Sequence, residues 1–357
     1  MLLPSRYRPT GKTLSGGGMS NAVLCTDTHL DRPVVVKSIK AGVDARRILD
    51  ELAALQAIRS KHVVEIYDVI RDDGGAITAI VEEYLPGQDL TGVPAPSTSD
   101  EFLRLVFPIA EGIADIHKHG RVHRDIKRQN MKYDDEGCLK IFDFGLTRLE
   151  AVNASTIGSI GTPGYMAPEL FERTTGGTVS FTRAVDVYAF GATILALALG
   201  KLPKELRARP PKLPSPLTNF GPLSSGLPPD VAEILEKCFE VKPEQRPGMD
   251  EIARIIGLHL LRDRHRALLV SGGRTYVLDH TNRIVQLSVT NQGALTIEYD
   301  GLRLVLSDVS GTVAVNNLPA SNGDVLPGSC VIVLGTADLA TRRTMITVDV
   351  SHPEVAL

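Results

Sequence analysis

Between Leu14 and Ile39 the apolar positions read as strand, glycine-rich turn and strand, ending in the run Val34-Val35-Val36 before Lys37. Residues 44–58 change period: apolar side chains recur at spacings of three and four, which predicts an amphipathic helix. Two more strands are expected at Val63–Ile70 and Ile77–Glu83, after which the pattern turns helical, with Glu101–His119 the clearest case. Val185–Leu199 is apolar on nearly every side and predicts a buried helix. Residues 203–229 are rich in Pro, Ser and Gly and predict an irregular surface excursion. The helices Pro229–Glu240 and Met249–Leu261 close this part of the chain. Beyond the basic stretch Arg262–Arg266 the pattern becomes short β-branched runs separated by Gly, Asn and Asp. They are Arg274–Leu278, Ile284–Val289, Leu295–Tyr299, Leu302–Leu306, Val331–Leu334 and Met345–Val350. Strands of that length and spacing predict a small all-β sandwich.

Composition adds exclusions. With 357 residues, both parts can bury a core of their own. The 39 Lys and Arg nearly balance 42 Asp and Glu, so no nucleic-acid or membrane surface is expected. Cys25, Cys138, Cys238 and Cys330 lie far apart and form no C-x-x-C pair, which reads as reduced thiols and not as a disulfide framework or zinc site. No segment is apolar for the ~20 residues that a membrane span needs. No apolar run follows the basic residues near the N-terminus, so no signal peptide is expected. The expectation is a cytoplasmic protein.

The chemistry is concentrated in Val122-His123-Arg124-Asp125-Ile126-Lys127-Arg128-Gln129-Asn130, with Asp143-Phe144-Gly145 beginning thirteen residues after Asn130. Two carboxylates, a carboxamide and a lysine at this spacing supply what phosphoryl transfer needs: positioning and neutralisation of phosphate charge. Lys37 ends a valine-rich strand. Gly161-Thr162-Pro163-Gly164-Tyr165, then Ala167-Pro168-Glu169, complete the set. These motifs resemble those of eukaryotic-type Ser/Thr protein kinases, particularly the bacterial members. The resemblance implies an α+β, bilobal kinase domain at 8–262, with an N-lobe at about 8–85 and a C-lobe at about 86–262; the strand pattern, not the resemblance, assigns 267–357 to a β-sandwich.

The resemblance also implies roles. Asp125 is the expected catalytic base or hydroxyl-orienting group, and Lys127 steadies the transferring phosphoryl group. Asn130 and Asp143 are the expected Mg²⁺ ligands (Mn²⁺ being an alternative), because a hard cation prefers oxygen. Lys37 is expected to contact the α- and β-phosphates of ATP and to pair with Glu51 on the 44–58 helix. Ser15, Gly16, Gly17, Gly18, Met19, Ser20 and Ala22 form the phosphate-cradling loop in one register. A register one residue later uses Gly16, Gly18, Asn21 and Val23. Either brings backbone N–H groups close to phosphate. Val35, Glu82, Glu83, Leu85 and Lys132 fall in the adenine pocket. There Glu82 replaces the usual apolar residue, Lys132 the usual leucine, and Val35 and Ala22 exchange the usual alanine and valine. A buried unpaired charge is costly, so Glu82 and Lys132 are expected to approach each other or to reach water.

Arg124 beside Asp125 suggests control by a phosphate in the activation segment, with Ser155, Thr156, Ser159 and Thr162 as acceptors. Glu169 with Arg246, and Asp186, match the family's structural ion pair and loop brace. In the last part, Leu302–Val313, Asn316-Asn317 and Gly328–Gly335 loosely resemble the later half of forkhead-associated domains, which bind phosphothreonine. Their Gly-Arg and Ser-x-x-His elements are not recognisable, with Asn282-Arg283 and Ser288 as loose substitutes. The alternative is a generic sandwich for docking a partner protein or for regulation. The expected activity is transfer of the ATP γ-phosphate to protein Ser/Thr hydroxyls, including the chain's own activation segment. The rivals are a non-catalytic scaffold with weak or altered nucleotide binding, and a small-molecule phosphotransferase of related fold.

Overall fold

The computed structural model describes residues 3–14, 22–39, 52, 55–144, 161–171, 181–212, 226–351, 353 and 355. The chain divides into two compact units, 1–256 and 257–357.

The first unit begins with a five-stranded antiparallel sheet. Its strands are β1 (Tyr7–Leu14), β2 (Ala22–Asp27), β3 (Arg32–Ser38), β4 (Ile66–Arg71) and β5 (Ile77–Glu83), in the order β1-β2-β3-β5-β4. The first strand lies earlier than the hydrophobic pattern suggests. Its side chains after Tyr7 are mostly exposed, so it carries little apolar signal. Alternation along β3 and β5 sends Val34, Val36, Ala79 and Val81 into a core with Tyr7, Cys25 and Ile70. The opposite alternation turns Val35, Lys37, Ile80 and Glu82 to the other face of the sheet. Of the 44–58 helix, Leu52 and residues 55–57 are described and are helical. Leu52 is fully buried.

Helices dominate the rest of the unit: α1 (Ser99–Lys118), α2 (Arg183–Ala198), α3 (Pro229–Lys237) and α4 (Met249–Leu260). α1 starts two residues before the expected Glu101 because Thr98 caps it, its hydroxyl accepting from Glu101 N at 3.2 Å. α2 is buried from Val185 to Ala198, as an all-round apolar helix must be. Between α1 and α2 lies a small hairpin of β6 (Met131–Tyr133) and β7 (Leu139–Ile141). Gly112 lets α1 pass against the chain at His62, where a β-carbon would sit 2.9 Å from the His62 carbonyl oxygen. Helices and sheets together fit the expected α+β class. Among the described residues no helix is long and apolar enough to cross a membrane.

The second unit is all β apart from one 3₁₀ turn and the end of α4. Its strands are β8 (Ala267–Ser271), β9 (Arg274–Leu278), β10 (Ile284–Val289), β11 (Gly293–Tyr299), β12 (Leu304–Gly311), β13 (Val313–Val315), β14 (Leu318–Pro319), β15 (Cys330–Leu334) and β16 (Thr344–Val350). They form a three-stranded sheet, β10-β11-β12, and a six-stranded sheet, β14-β13-β15-β16-β8-β9. Both sheets contribute to one core, with Val285, Leu287 and Ile297 from the first beside Leu269, Ile332 and Ile346 from the second. β8, β13 and β14 are additions to the sequence-based reading. Two tight hairpins set them: Gly272-Gly273 and Asn316-Asn317 all have positive φ, as a two-residue turn matching strand twist requires.

Candidate active site

The loop between α1 and β6 is held from beneath by Asp186 on α2. Its carboxylate accepts from His123 N at 2.7 Å and Arg124 N at 2.8 Å, and meets His117 Nε2 at 3.1 Å. This clamp fixes Arg124 at φ 68°, a left-handed conformation that an arginine does not adopt freely. Arg124 also stands over the Phe181 ring at 5.4 Å. His123 is buried, and burial lowers its pKa despite the nearby acids. Its Nδ1 accepts from Asp125 N at 3.3 Å, so the neutral ring donates from Nε2 to Phe142 O at 3.1 Å. His123 therefore braces the loop.

Asp125, held on that loop, is the hub of a polar cluster. Lys127 Nζ lies 2.8 Å from Asp125 Oδ2, and Thr162 Oγ1 donates to Asp125 Oδ1 at 2.8 Å. Lys127 also donates to Thr162 Oγ1 at 3.0 Å, closing a triangle of acid, ammonium and hydroxyl. Asn130 Nδ2 donates to Asp125 O at 2.8 Å and to its Oδ2 at 3.0 Å. Phe142 N donates to Asn130 O at 2.9 Å, which ties the Asp125–Asn130 loop to the residue preceding Asp143. Asp143 has φ 64°, and its carboxylate is 41% exposed.

Facing this cluster, Lys37 Nζ sits 2.8 Å from Glu82 Oε2 and 3.6 Å from Asp143 Oδ1. Burial opposes its charge, but Glu82 and Asp143 outweigh that effect and raise its pKa. The expected approach of Glu82 and Lys132 is corrected: Glu82 pairs with Lys37. The reason is register, since Lys37 and Glu82 are diagonal neighbours on one face of the β3–β5 pair, whereas Lys132 belongs to β6. Lys132 Nζ instead lies 5.5 Å from the Phe142 ring centre. Glu83 is anchored by Lys140 at 2.8 Å and accepts from Glu65 N at 3.1 Å.

Between the five-stranded sheet and this loop is a cavity of about 450 Å³. Ala22, Val35, Lys37, Glu82, Glu83, Leu85, Lys127, Asn130, Lys132 and Asp143 line it, so the sequence-predicted residues that are described converge, with Asp125 adjoining through Lys127 and Thr162. Ser15 to Ser20, Glu51, Ser155, Thr156 and Ser159 lie outside the described residues. Five lining residues, Leu14, Val64, Asp89, Gln129 and Phe142, have no role in the sequence reading, while Tyr84 lies between the predicted pocket residues Glu83 and Leu85. Gln129 sits inside a recognised motif, and Phe142 immediately precedes one.

The donor set suits a divalent cation. With Nδ2 spent on Asp125, Asn130 has its amide oxygen to give, and Asp143 adds a carboxylate. No group of three or more His, Cys, Asp or Glu side chains able to hold a metal occurs among the described residues. Two protein oxygens with phosphate completing the shell is how Mg²⁺ is commonly held.

The protein kinase domain family model matches residues 9–255. Similar proteins include the serine/threonine-protein kinase PrkC of Bacillus subtilis, 32% identical over 202 residues, covering 54% of this chain and 30% of that protein. Another is the serine/threonine-protein kinase pkn2 of Myxococcus xanthus, 31% identical over 270 residues, covering 68% and 31% respectively. Mitogen-activated protein kinase kinase kinase 3 of mouse is 29% identical over 271 residues, covering 68% and 40%. The matched region spans only 30–40% of these three relatives' own lengths. A family match over more than half of its residues, with the cleft geometry above, shows that this chain belongs to the protein kinase family.

Proposed function

We propose that the chain is an ATP- and Mg²⁺-dependent protein serine/threonine kinase that also phosphorylates its own activation segment. The observation that carries this reading is the Thr162 hydroxyl, which donates to Asp125 while Lys127 approaches its oxygen. A carboxylate that takes a threonine O–H at 2.8 Å beside an ammonium is placed to orient a substrate hydroxyl in the same way. Asp125 orients the attacking oxygen and takes up its proton as the bond to the γ-phosphorus forms and the bond from that phosphorus to the β,γ-bridging oxygen breaks, with ADP as the leaving group. Lys127 and Lys37 offset the charge that spreads over the transferring group. Asn130 and Asp143 hold the divalent cation, which when bound neutralises β- and γ-phosphate charge. Ala22, Val35, Tyr84 and Leu85 give the purine apolar contact, and the loop 15–20 covers the phosphates.

The catalytic domain is assigned to 8–262, and residues 267–357 to a β-sandwich that docks a partner or regulates the kinase. The two sheets with a shared core support the sandwich. The forkhead-associated likeness rests on sequence alone, and its phosphopeptide partner is part of this proposal. Cytoplasmic action is proposed from the four free cysteines. The test is transfer of label from γ-³²P-ATP to serine or threonine, with Asp125→Asn as control. Label on wild type and not on the variant supports the reading, and equal labelling of both refutes it.

A further inference from the structure

The back wall of the cleft carries an acid where the family resemblance implies an apolar side chain. Glu82 is 6% exposed, and a carboxylate buried that far is costly without a cation. Lys37 stands opposite Ile80, and Glu82 opposite Val35, so the two charges are diagonal neighbours on the cleft face of β3 and β5. Their 2.8 Å contact is shorter than the 3.6 Å from Lys37 to Asp143. The Glu82 side chain is 7% exposed against 41% for Asp143, so the contact with Glu82 is the less screened by water. The other lysines of the cleft are engaged elsewhere, Lys127 with Asp125 and Lys132 over Phe142.

We infer that Glu82 is an acid that positions Lys37 toward the triphosphate from the neighbouring strand, a task that the family resemblance gives to a helix glutamate, whose candidate Glu51 lies outside the described residues. Sitting on the strand next to Lys37, it holds the ammonium closer than Asp143 does, at 2.8 against 3.6 Å. Among the described residues, the other carboxylate in reach of Lys37 is Asp143, which is assigned to the divalent cation. Without Glu82, lysine and metal would compete for one acid. This inference rests on the nucleotide reading of the cleft.

The experiment is a double-mutant cycle on the full chain with Lys37→Met and Glu82→Gln, and Glu82→Asp as the conservative variant. Two quantities are read: Kd of a fluorescent ATP analogue in EDTA, and kcat, KM and Mg²⁺ dependence of label transfer. Glu82→Gln is expected to lower kcat/KM roughly 30-fold and to raise the Mg²⁺ concentration needed for half-maximal rate. Glu82→Asp recovers part of the loss. On the Lys37→Met background, Glu82→Gln changes Kd by no more than about twofold, because the partner it served is already gone. The inference is overturned if the single variant stays within about twofold of wild type in Kd and kcat/KM, or if its full Kd penalty persists without Lys37. Should Glu82→Gln lose its melting transition, the double variant decides: recovery supports the pair, and continued loss overturns it. If wild type transfers no label, the phosphotransfer reading fails, while the Kd cycle still decides the pair.

Discussion

Single side chains in this protein have functions only because others hold them. Asp125 is useful as an acceptor because Asp186 fixes the backbone before it and Asn130 restrains its carboxylate. Asp27 shows the same principle away from the cleft. The Arg6 guanidinium donates to both its oxygens, at 2.8 and 2.7 Å, and holds its pKa at about 2 instead of 3.8. A depressed acid pKa stabilises the fold fully above its ordinary value and loses that contribution as pH falls through the folded value. Arg6→Gln should therefore lower the urea midpoint at pH 7 and leave it nearly unchanged at pH 2. An equal drop at both pH values would show that the pairing is not the source. The identities of Asp125, Lys127, Asn130 and Asp143 were legible in the sequence because their spacing within a short loop is itself the signal. The partner of Glu82 was not, since it depends on which residues of β3 stand across from β5.

At the level of elements, the helical part is locked by a bidentate pair. Arg246 reaches Glu169 with two bonds of 2.7 and 2.8 Å and donates to the carbonyls of Glu240 and Ala184. Its side chain is fully buried, so Arg246→Lys, which cannot reproduce the fork, should cost about 3 kcal/mol in chemical denaturation. A loss under about 0.5 kcal/mol would contradict this. Gly112 is the second test. Alanine favours helix by about 1 kcal/mol, but its β-carbon would meet backbone at His62. His62 O accepts from Ile141 N, so the clash reaches the strand that leads to Asp143. Gly112→Ala should destabilise by about 1–3 kcal/mol, and a gain in stability would contradict the close approach. Elements were legible where an apolar run or an alternation is sharply bounded by polar and turn residues, as in α2 and β9 to β10. β1 was placed late because its outward residues carry no alternation to read, and β8 was missed beside the basic stretch despite its Gly-Gly turn.

For the molecule as a whole, the two units have separate cores. The β-rich unit's cluster draws only on residues between Ala267 and Val350. Asp263 belongs with it, holding Arg283 at 2.6 Å. A fragment of residues 262–357 should therefore show its own cooperative calorimetric transition, and a featureless trace would contradict the assignment. No periodicity could have said what that unit binds, because recognition resides in loop side chains and not in the strand pattern. The central claim is that the first unit transfers phosphate through Asp125, and phosphopeptide mass spectrometry after incubation with Mg-ATP tests it most directly. The account predicts phosphoserine or phosphothreonine in wild type, with Asp125→Asn reduced by roughly a thousandfold at unchanged nucleotide affinity. Wild-type protein free of phosphate after saturating Mg-ATP, or Asp125→Asn modified to the same extent, would contradict it.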